Sequence, residues 1–245
     1  ATITDTNTND IINAAQDIAV YTGASNNVSD VSNGATIQDT DLNNIQSTIE
    51  NGYNSRLSAV SSYLSQEAKD TSTRTAAWST TVTHDLTVTF GSAAIRNAFF
   101  NAGGSIYFTA SRSGGSTTDQ NTDWTNMLSA MGTIKMNYTQ TTASSGTTTS
   151  IGNNDLTSSY QTIFTKAGSG SYSTNYYSIQ GRADSSTVLR FLITFGDSHT
   201  GRGYFDSVDG TLTSVAGQYR PNSGTLPNGY SVVVATPTYT TNSDL

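Results

Sequence analysis

From Leu42 to Leu64 the apolar residues Leu42, Ile45, Ile49, Tyr53, Leu57, Val60 and Leu64 recur every three or four positions, which places them on one face of a helix. Six steps cover 22 residues, close to the ~3.67 spacing that keeps such a stripe straight along its axis. Asp39 and Thr40 supply caps, the pattern runs to about residue 69, and Asn51-Gly52 marks the point where the helix bends or stops. Upstream, Ile11, Ala14, Ala15, Ile18 and Ala19 outline a shorter helix starting near Asn9 or Asp10, and residues 22–36 read as a loop. A stripe this narrow, lying ahead of the β region, predicts a helix that packs against copies of itself, the alternative being a helix that lies on its own β domain.

From residue 76 the period becomes two. Between Thr81 and Phe90 the residues Val82, His84, Leu86, Val88 and Phe90 alternate with Thr81, Thr83, Asp85, Thr87 and Thr89, so one face is core and the other polar. A short helix over Ala93–Ala102 ends at Gly103-Gly104, and a strand then carries Ile106, Phe108 and Ala110. A second short helix, capped by Thr122 or Asp123, carries Trp124, Met127, Leu128 and Met131. Ile134, Met136 and Tyr138 alternate in the next strand, while residues 139–155, almost all Thr, Ser, Gly and Asn, predict an exposed loop tip. Further strands fit residues 160–166, 175–183, 187–196, 211–217 and 230–239, with Leu189, Phe191, Ile193 and Phe195 facing inward. The expected fold is mainly β, a β-sandwich of about seven or eight antiparallel strands with two short inserted helices. A small N-terminal helical segment over residues 1–75, for attachment or oligomerisation, precedes this β-sandwich domain over residues 76–245.

Composition supports the β assignment. Ser, Thr, Asn and Gly supply 118 of the 245 residues, and Glu occurs only at Glu50 and Glu67, which disfavours a mostly helical fold. The chain has no Cys, excluding a disulfide scaffold and every thiolate chemistry. A net charge of −7 with scattered Lys and Arg leaves no basic stripe for nucleic acid. The longest apolar run, Val232 to Ala235, falls far short of a membrane span or a signal-peptide core. Neither nucleic acid nor membrane is an expected partner.

Most catalytic templates are missing: the chain has no G-x-S-x-G, no phosphate-binding G-x-x-x-x-G-K and no H-E-x-x-H. A zinc site or a Ser-His-Asp triad must draw on His84 or His199. His84 sits on the apolar side of its strand, as a packed, hydrogen-bonded histidine does; His199 has Asp197, Asp206 and Asp209 nearby in a Gly-rich stretch that reads as a solvated acidic loop. No carboxylate pair stands out for glycoside hydrolysis. Glycan binding needs only exposed aromatics beside polar groups, and Tyr107, Tyr172, Tyr176, Tyr177, Tyr204 and Tyr219 offer them. From the residues alone, no catalytic set and no metal site stands out.

Several blocks carry a more specific signal. Asp70-Thr-Ser-Thr-Arg-Thr-Ala-Ala-Trp78, the strand to Phe90, and Arg96-Asn-Ala-Phe-Phe-Asn-Ala-Gly-Gly-Ser-Ile106 are followed by Ala110-Ser-Arg-Ser-Gly-Gly-Ser116. Then come Asn121-Thr-Asp-Trp-Thr-Asn-Met-Leu-Ser-Ala-Met-Gly132, Leu156-Thr-Ser-Ser-Tyr-Gln161 and Asp206-Ser-Val-Asp-Gly-Thr211. In this order they resemble a family of virion structural proteins of tailed phages infecting cyanobacteria. The N-terminal third departs from that pattern: a Tyr-Gly loop and a histidine-bearing helix end are here Tyr21-Thr22-Gly23 and Asn51-Gly52.

The resemblance implies a non-enzymatic structural component of the virion, not an enzyme, with no cofactor, no metal and no catalytic residue, assembled in the bacterial host cytoplasm and present in several copies. A homo-oligomer in the neck, tail or fibre apparatus suits the helical stripe, whose residues Leu42, Ile45, Ile49, Tyr53, Leu57, Val60 and Leu64 are the expected oligomerisation or docking set. Expected partners are copies of itself and other phage structural proteins. A glycan-binding host-recognition module, which adds host surface glycans as partners, and a capsid-surface decoration protein are the alternatives.

Overall fold

A computed structural model describes residues 5–22, 24–61, 64–200, 207–221, 224–225, 231–232, 235–241, 243 and 245. The chain divides into two compact units, Ala1–Leu64 with Pro221–Val234, and Ser65–Arg220 with Ala235–Leu245.

The first unit contains α1 (Asp5–Thr22) and α2 (Asp39–Ser61). α2 passes through Asn51-Gly52 without a break and ends before Leu64, so the helix is shorter than the apolar spacing predicts. Ile12, Val28, Val31 and Ile45 form the core of this unit, with Ile37 packed against it. The buried line of α1 is Thr8, Ile12, Ala15 and Ala19, whereas Ile11 and Ile18 are exposed, a rotation of about one residue from the face read in the sequence. The loop between the helices returns along α1: Asn9 donates to the Val31 carbonyl and Gln16 to the Val28 carbonyl, while the Asn27 amide donates to Thr48. Because the loop runs back before α2 begins, the two helices point in the same direction.

The strands in chain order are β1 (Leu64–Arg74), β2 (Thr81–Thr89), β3 (Ser105–Ser113), β4 (Ile134–Met136), β5 (Thr141–Thr142), β6 (Thr147–Thr148) and β7 (Gln161–Ala167). They continue with β8 (Tyr176–Ala183), β9 (Val188–Gly196), β10 (Thr211–Pro221), β11 (Gly224–Thr225), β12 (Ser231–Val232) and β13 (Thr238–Thr241). Two open antiparallel sheets result, one of five strands in the order β1-β10-β3-β4-β5 and one of six in the order β13-β2-β9-β8-β7-β6; β11 and β12 form a separate ribbon. Helix α3 (Ala93–Asn101) lies between β2 and β3, and α4 (Asp119–Met131) between β3 and β4.

The central pair β2/β9 follows the predicted alternation. Leu86 and Val88 on β2 and Leu189, Phe191, Ile193 and Phe195 on β9 are all fully buried. Phe191 meets Phe108 of the five-stranded sheet edge to face, with 5.1 Å between ring centroids, a geometry aromatic pairs favour.

Four expectations change. Residues 64–69, read as the end of the long helix, belong to β1, whose neighbour is β10; Glu67 accepts from Gln218 and Arg220 of that strand, so long-range pairing overrides the helix-forming Gln66-Glu67-Ala68-Lys69 run. The cap of α4 is Thr118, whose hydroxyl accepts from the Asn121 amide. Residues 139–155 contain β5, β6 and a 3-10 turn, with Thr141 and Asn153 buried; hydroxyls such as Thr141, which donates to the Ile151 carbonyl, satisfy the backbone there. The single strand expected over 230–239 is instead β12 and β13.

Candidate functional site

Among the described residues, the predicted docking set divides between core and surface. Ile45 is in the core of the helical unit, while Leu42 is 56% and Ile49 41% exposed. Leu64 begins β1. Tyr53, Leu57 and Val60 lie on α2, and their side chains fall outside the described residues. Ile11, Ile18 and Val20 of α1 are exposed as well, so the apolar surface of this unit draws on both helices.

His84 does bring together a serine and an aspartate. Its Nε2 is 2.8 Å from Asp70 Oδ2 on β1, and its Nδ1 is 2.9 Å from Ser214 Oγ on β10. A neutral imidazole satisfies both, with Nε2–H donating to the carboxylate and Nδ1 accepting from the hydroxyl. His84 and Ser214 are both fully buried, and a nucleophile must reach its substrate. The three residues therefore act as a polar brace between the sheets, which agrees with a packed, hydrogen-bonded histidine.

Among the described residues, His199 gathers no catalytic set. Its backbone amide, like that of Ser198, donates to Asn175 Oδ1, and its ring packs edge to face on Tyr172. Asp197 is buried and accepts both hydrogen bonds of the Gln120 amide group, Asp209 is engaged elsewhere, and Asp206 lies outside the described residues. Among the described residues no group of three His, Cys, Asp or Glu side chains is placed to hold a metal ion.

Three of the sequence blocks, two of them neighbours in the chain and the third distant, meet at Arg112. Its Nε donates to the Asp209 carbonyl at 2.6 Å, one Nη to Asp209 Oδ1 at 3.1 Å, and the other to Thr125 Oγ1 at 3.1 Å. Asp209 also accepts from Asn121 Nδ2 at 2.6 Å and from the Ser116 amide at 3.0 Å. Burial acts to raise the Asp209 carboxyl, but the bonds from Ser116, Arg112 and Asn121 outweigh it and hold it below the ordinary range. Gly114 and Gly115, at φ of 67° and 74°, make the turn that brings Ser116 onto this carboxylate. Sequence reasoning missed the cluster: nothing local marks that Arg112, Asn121 and Asp209 converge.

A second unpredicted cluster lies where α4 covers the end of the β8/β9 pair. Tyr177 is paired with Phe195 in the ladder, and Asn175 and Asp197, both buried, lie immediately beyond the adjoining ends of β8 and β9. Gln120, Asp123 and Trp124 come from α4. Gln120 Oε1, Asp123 Oδ2, Trp124 Nε1, Asn175 Nδ2 and the Tyr177 hydroxyl are buried with no hydrogen-bond partner among the described residues. Burial pushes the Tyr177 hydroxyl far above the ordinary tyrosine range.

Of the six tyrosines considered for glycan contact, Tyr107 and Tyr177 are buried, and Tyr204 lies outside the described residues. Tyr219 carries Lys135 over its ring at 3.9 Å. Tyr176, 37% exposed, lies against Gly196 across the β8/β9 ladder, where an aromatic ring covers the bare backbone of a strand glycine. Comparison with protein families, with curated proteins and with solved structures finds no match to this chain.

Proposed function

We propose that this protein is a non-enzymatic structural component of a phage particle, in the neck, tail or fibre apparatus. Its two antiparallel sheets serve as a β-sandwich body, and its helical unit attaches that body to the particle. The observation that carries this reading is the exposed apolar surface of the helical unit, formed by Ile11, Ile18, Leu42 and Ile49. Isolated exposed apolar residues are ordinary, but a set at matching positions on two adjacent helices is the pattern of a docking face.

The polar constellations support the same reading. His84, Asp70 and Ser214 brace the sheets, Arg112 and Asp209 fasten loops, and Arg96 pins α3 through Asn153 at 2.8 Å. Each holds the body rigid, as a component under mechanical load requires. The resemblance of the blocks to virion structural proteins agrees with this use.

Gold-antibody labelling of purified cyanophage particles, with serum raised against the recombinant β unit, tests the reading. Gold on neck, tail or fibres is expected. Gold on the capsid surface would make it a decoration protein, and unlabelled intact particles, with a serum proven on the recombinant protein and on disrupted particles, would remove it from the virion.

A further inference from the structure

We infer that the exposed face of the helical unit docks another protein whose surface is an apolar groove edged by lysine and arginine, and does not dock a second copy of this chain. The inference rests on the structural-component reading and adds the chemistry of the partner.

The placement of the side chains comes first. At 3.6 residues per turn, Ile11 and Ile18 fall on one line of α1, and Leu42 and Ile49 fall on one line of α2. The loop between the helices is held by Asn9, Gln16 and Thr48, which project to one side of the pair. The two apolar lines project to the other side, because α1 and α2 run in the same direction and the lines lie on opposite flanks of their buried faces. The result is one apolar strip contributed by both helices. About a quarter turn beyond it, on the outer flanks, stand Asp10 and Asp17 of α1 and Asp39 and Glu50 of α2. The strip is thus bordered by carboxylates along both edges.

Charge then selects the occupant. Within residues 1–64 the acids are Asp5, Asp10, Asp17, Asp30, Asp39, Asp41 and Glu50, against Arg56 as the single base, a net −6 of the whole chain's −7. Residues 221–234, the rest of this unit, carry no charged side chain. The β unit is therefore almost neutral, and the acidity is concentrated where the apolar strip is. Two such faces brought together oppose charge of the same sign, whereas a groove edged by Lys and Arg meets it with opposite charge and buries the four aliphatic side chains. The same acidity repels an anionic lipid surface.

The test uses the full chain and two synthetic amphipathic peptides with identical leucine spacing, one with lysine and one with glutamate on the polar positions. Fluorescence anisotropy is expected to give at least about tenfold tighter binding of the lysine peptide, weakening as salt is raised. Leu42→Asp with Ile49→Asp should abolish binding with the helical circular-dichroism signal retained. Asp10→Asn with Glu50→Gln should weaken it and flatten the salt dependence, which guards against misfolding of the first variant.

Equal binding of the two peptides, or of neither, overturns the proposal. Concentration-dependent self-association in sedimentation velocity, abolished by the Leu42/Ile49 variant, would make a second copy the occupant. Binding to phosphatidylglycerol vesicles in place of the peptides would make it a lipid surface. Lysine-peptide binding together with gold-free particles would keep the docking chemistry and overturn only the virion reading.

Discussion

The imidazole of His84, on β2 of the six-stranded sheet, lies 2.8 Å from the carboxylate of Asp70, on β1 of the five-stranded sheet. Ser214 on β10 occupies the other ring nitrogen at 2.9 Å. One buried side chain therefore ties together a strand of one sheet and two of the other.

Removing the ring leaves the fully buried Ser214 hydroxyl and the part-buried Asp70 carboxylate without this partner, which costs more than the bonds themselves contribute. His84→Leu should destabilise the β unit by about 3 kcal/mol, and Ser214→Ala by about 1 kcal/mol. A double-mutant cycle between His84→Leu and Asp70→Asn, measured by urea unfolding, should show strong coupling. Additive losses would mean that the brace contributes nothing as a unit.

This brace also marks how far the sequence can be read. The alternation of Val82, His84, Leu86 and Val88 identifies β2 and its buried face, and the run from Leu189 to Phe195 does the same for β9, because period and burial are local properties. β1 escapes that reading. Glu67 and Asp70 become strand residues through partners at Gln218, Arg220 and His84, and no window around residue 67 contains that information. The Arg112 cluster is illegible for the same reason, since Asn121 is near in sequence but Asp209 is 97 positions from Arg112.

The helical unit shows a finer limit. Spacing alone places Leu42, Ile45 and Ile49 together, but the structure sends Ile45 to the core and leaves its neighbours outside. Ile45→Ala should cost the unit about 2–4 kcal/mol, and Leu42→Ala should fall within about 0.5 kcal/mol of the parent. Hydrogen exchange of the α1 amides distinguishes them: protection should drop for the first variant and stay unchanged for the second. Equal effects would return all three residues to one face.

Tyr177 poses a question about the covered end of β8 and β9. Among the described residues its hydroxyl has no hydrogen-bond partner, and four more unpartnered polar atoms come from side chains in the same region. Buried polar groups in native proteins nearly always find partners, in protein or in ordered water. The expected outcome is internal water bridging these groups, so that Tyr177→Phe loses about 1 kcal/mol of stability. An unchanged or higher unfolding free energy would show that the hydroxyl makes no such bond.

Asp209 gives a prediction in pH. Its carboxyl is held below the ordinary range in the folded chain, so the unfolded chain takes up the proton first as pH falls. The contribution of Asp209 is then fully present above the ordinary carboxylate range and is lost as pH drops through the folded value. With its side chain 39% exposed, solvent screens the interaction and keeps the effect modest. The melting temperature of the parent should exceed that of Asp209→Asn near neutral pH, and the gap should close below about pH 4. Glu67, also held low, chiefly by Lys69, titrates in both proteins and cancels from the difference. Arg112→Lys should lower the melting temperature near neutral pH as well, because an ammonium cannot reproduce donation to the Asp209 carbonyl, its carboxylate and Thr125 at once. A gap between parent and Asp209→Asn that stayed constant down to pH 3 would show that Asp209 acts through its neutral hydrogen bonds alone.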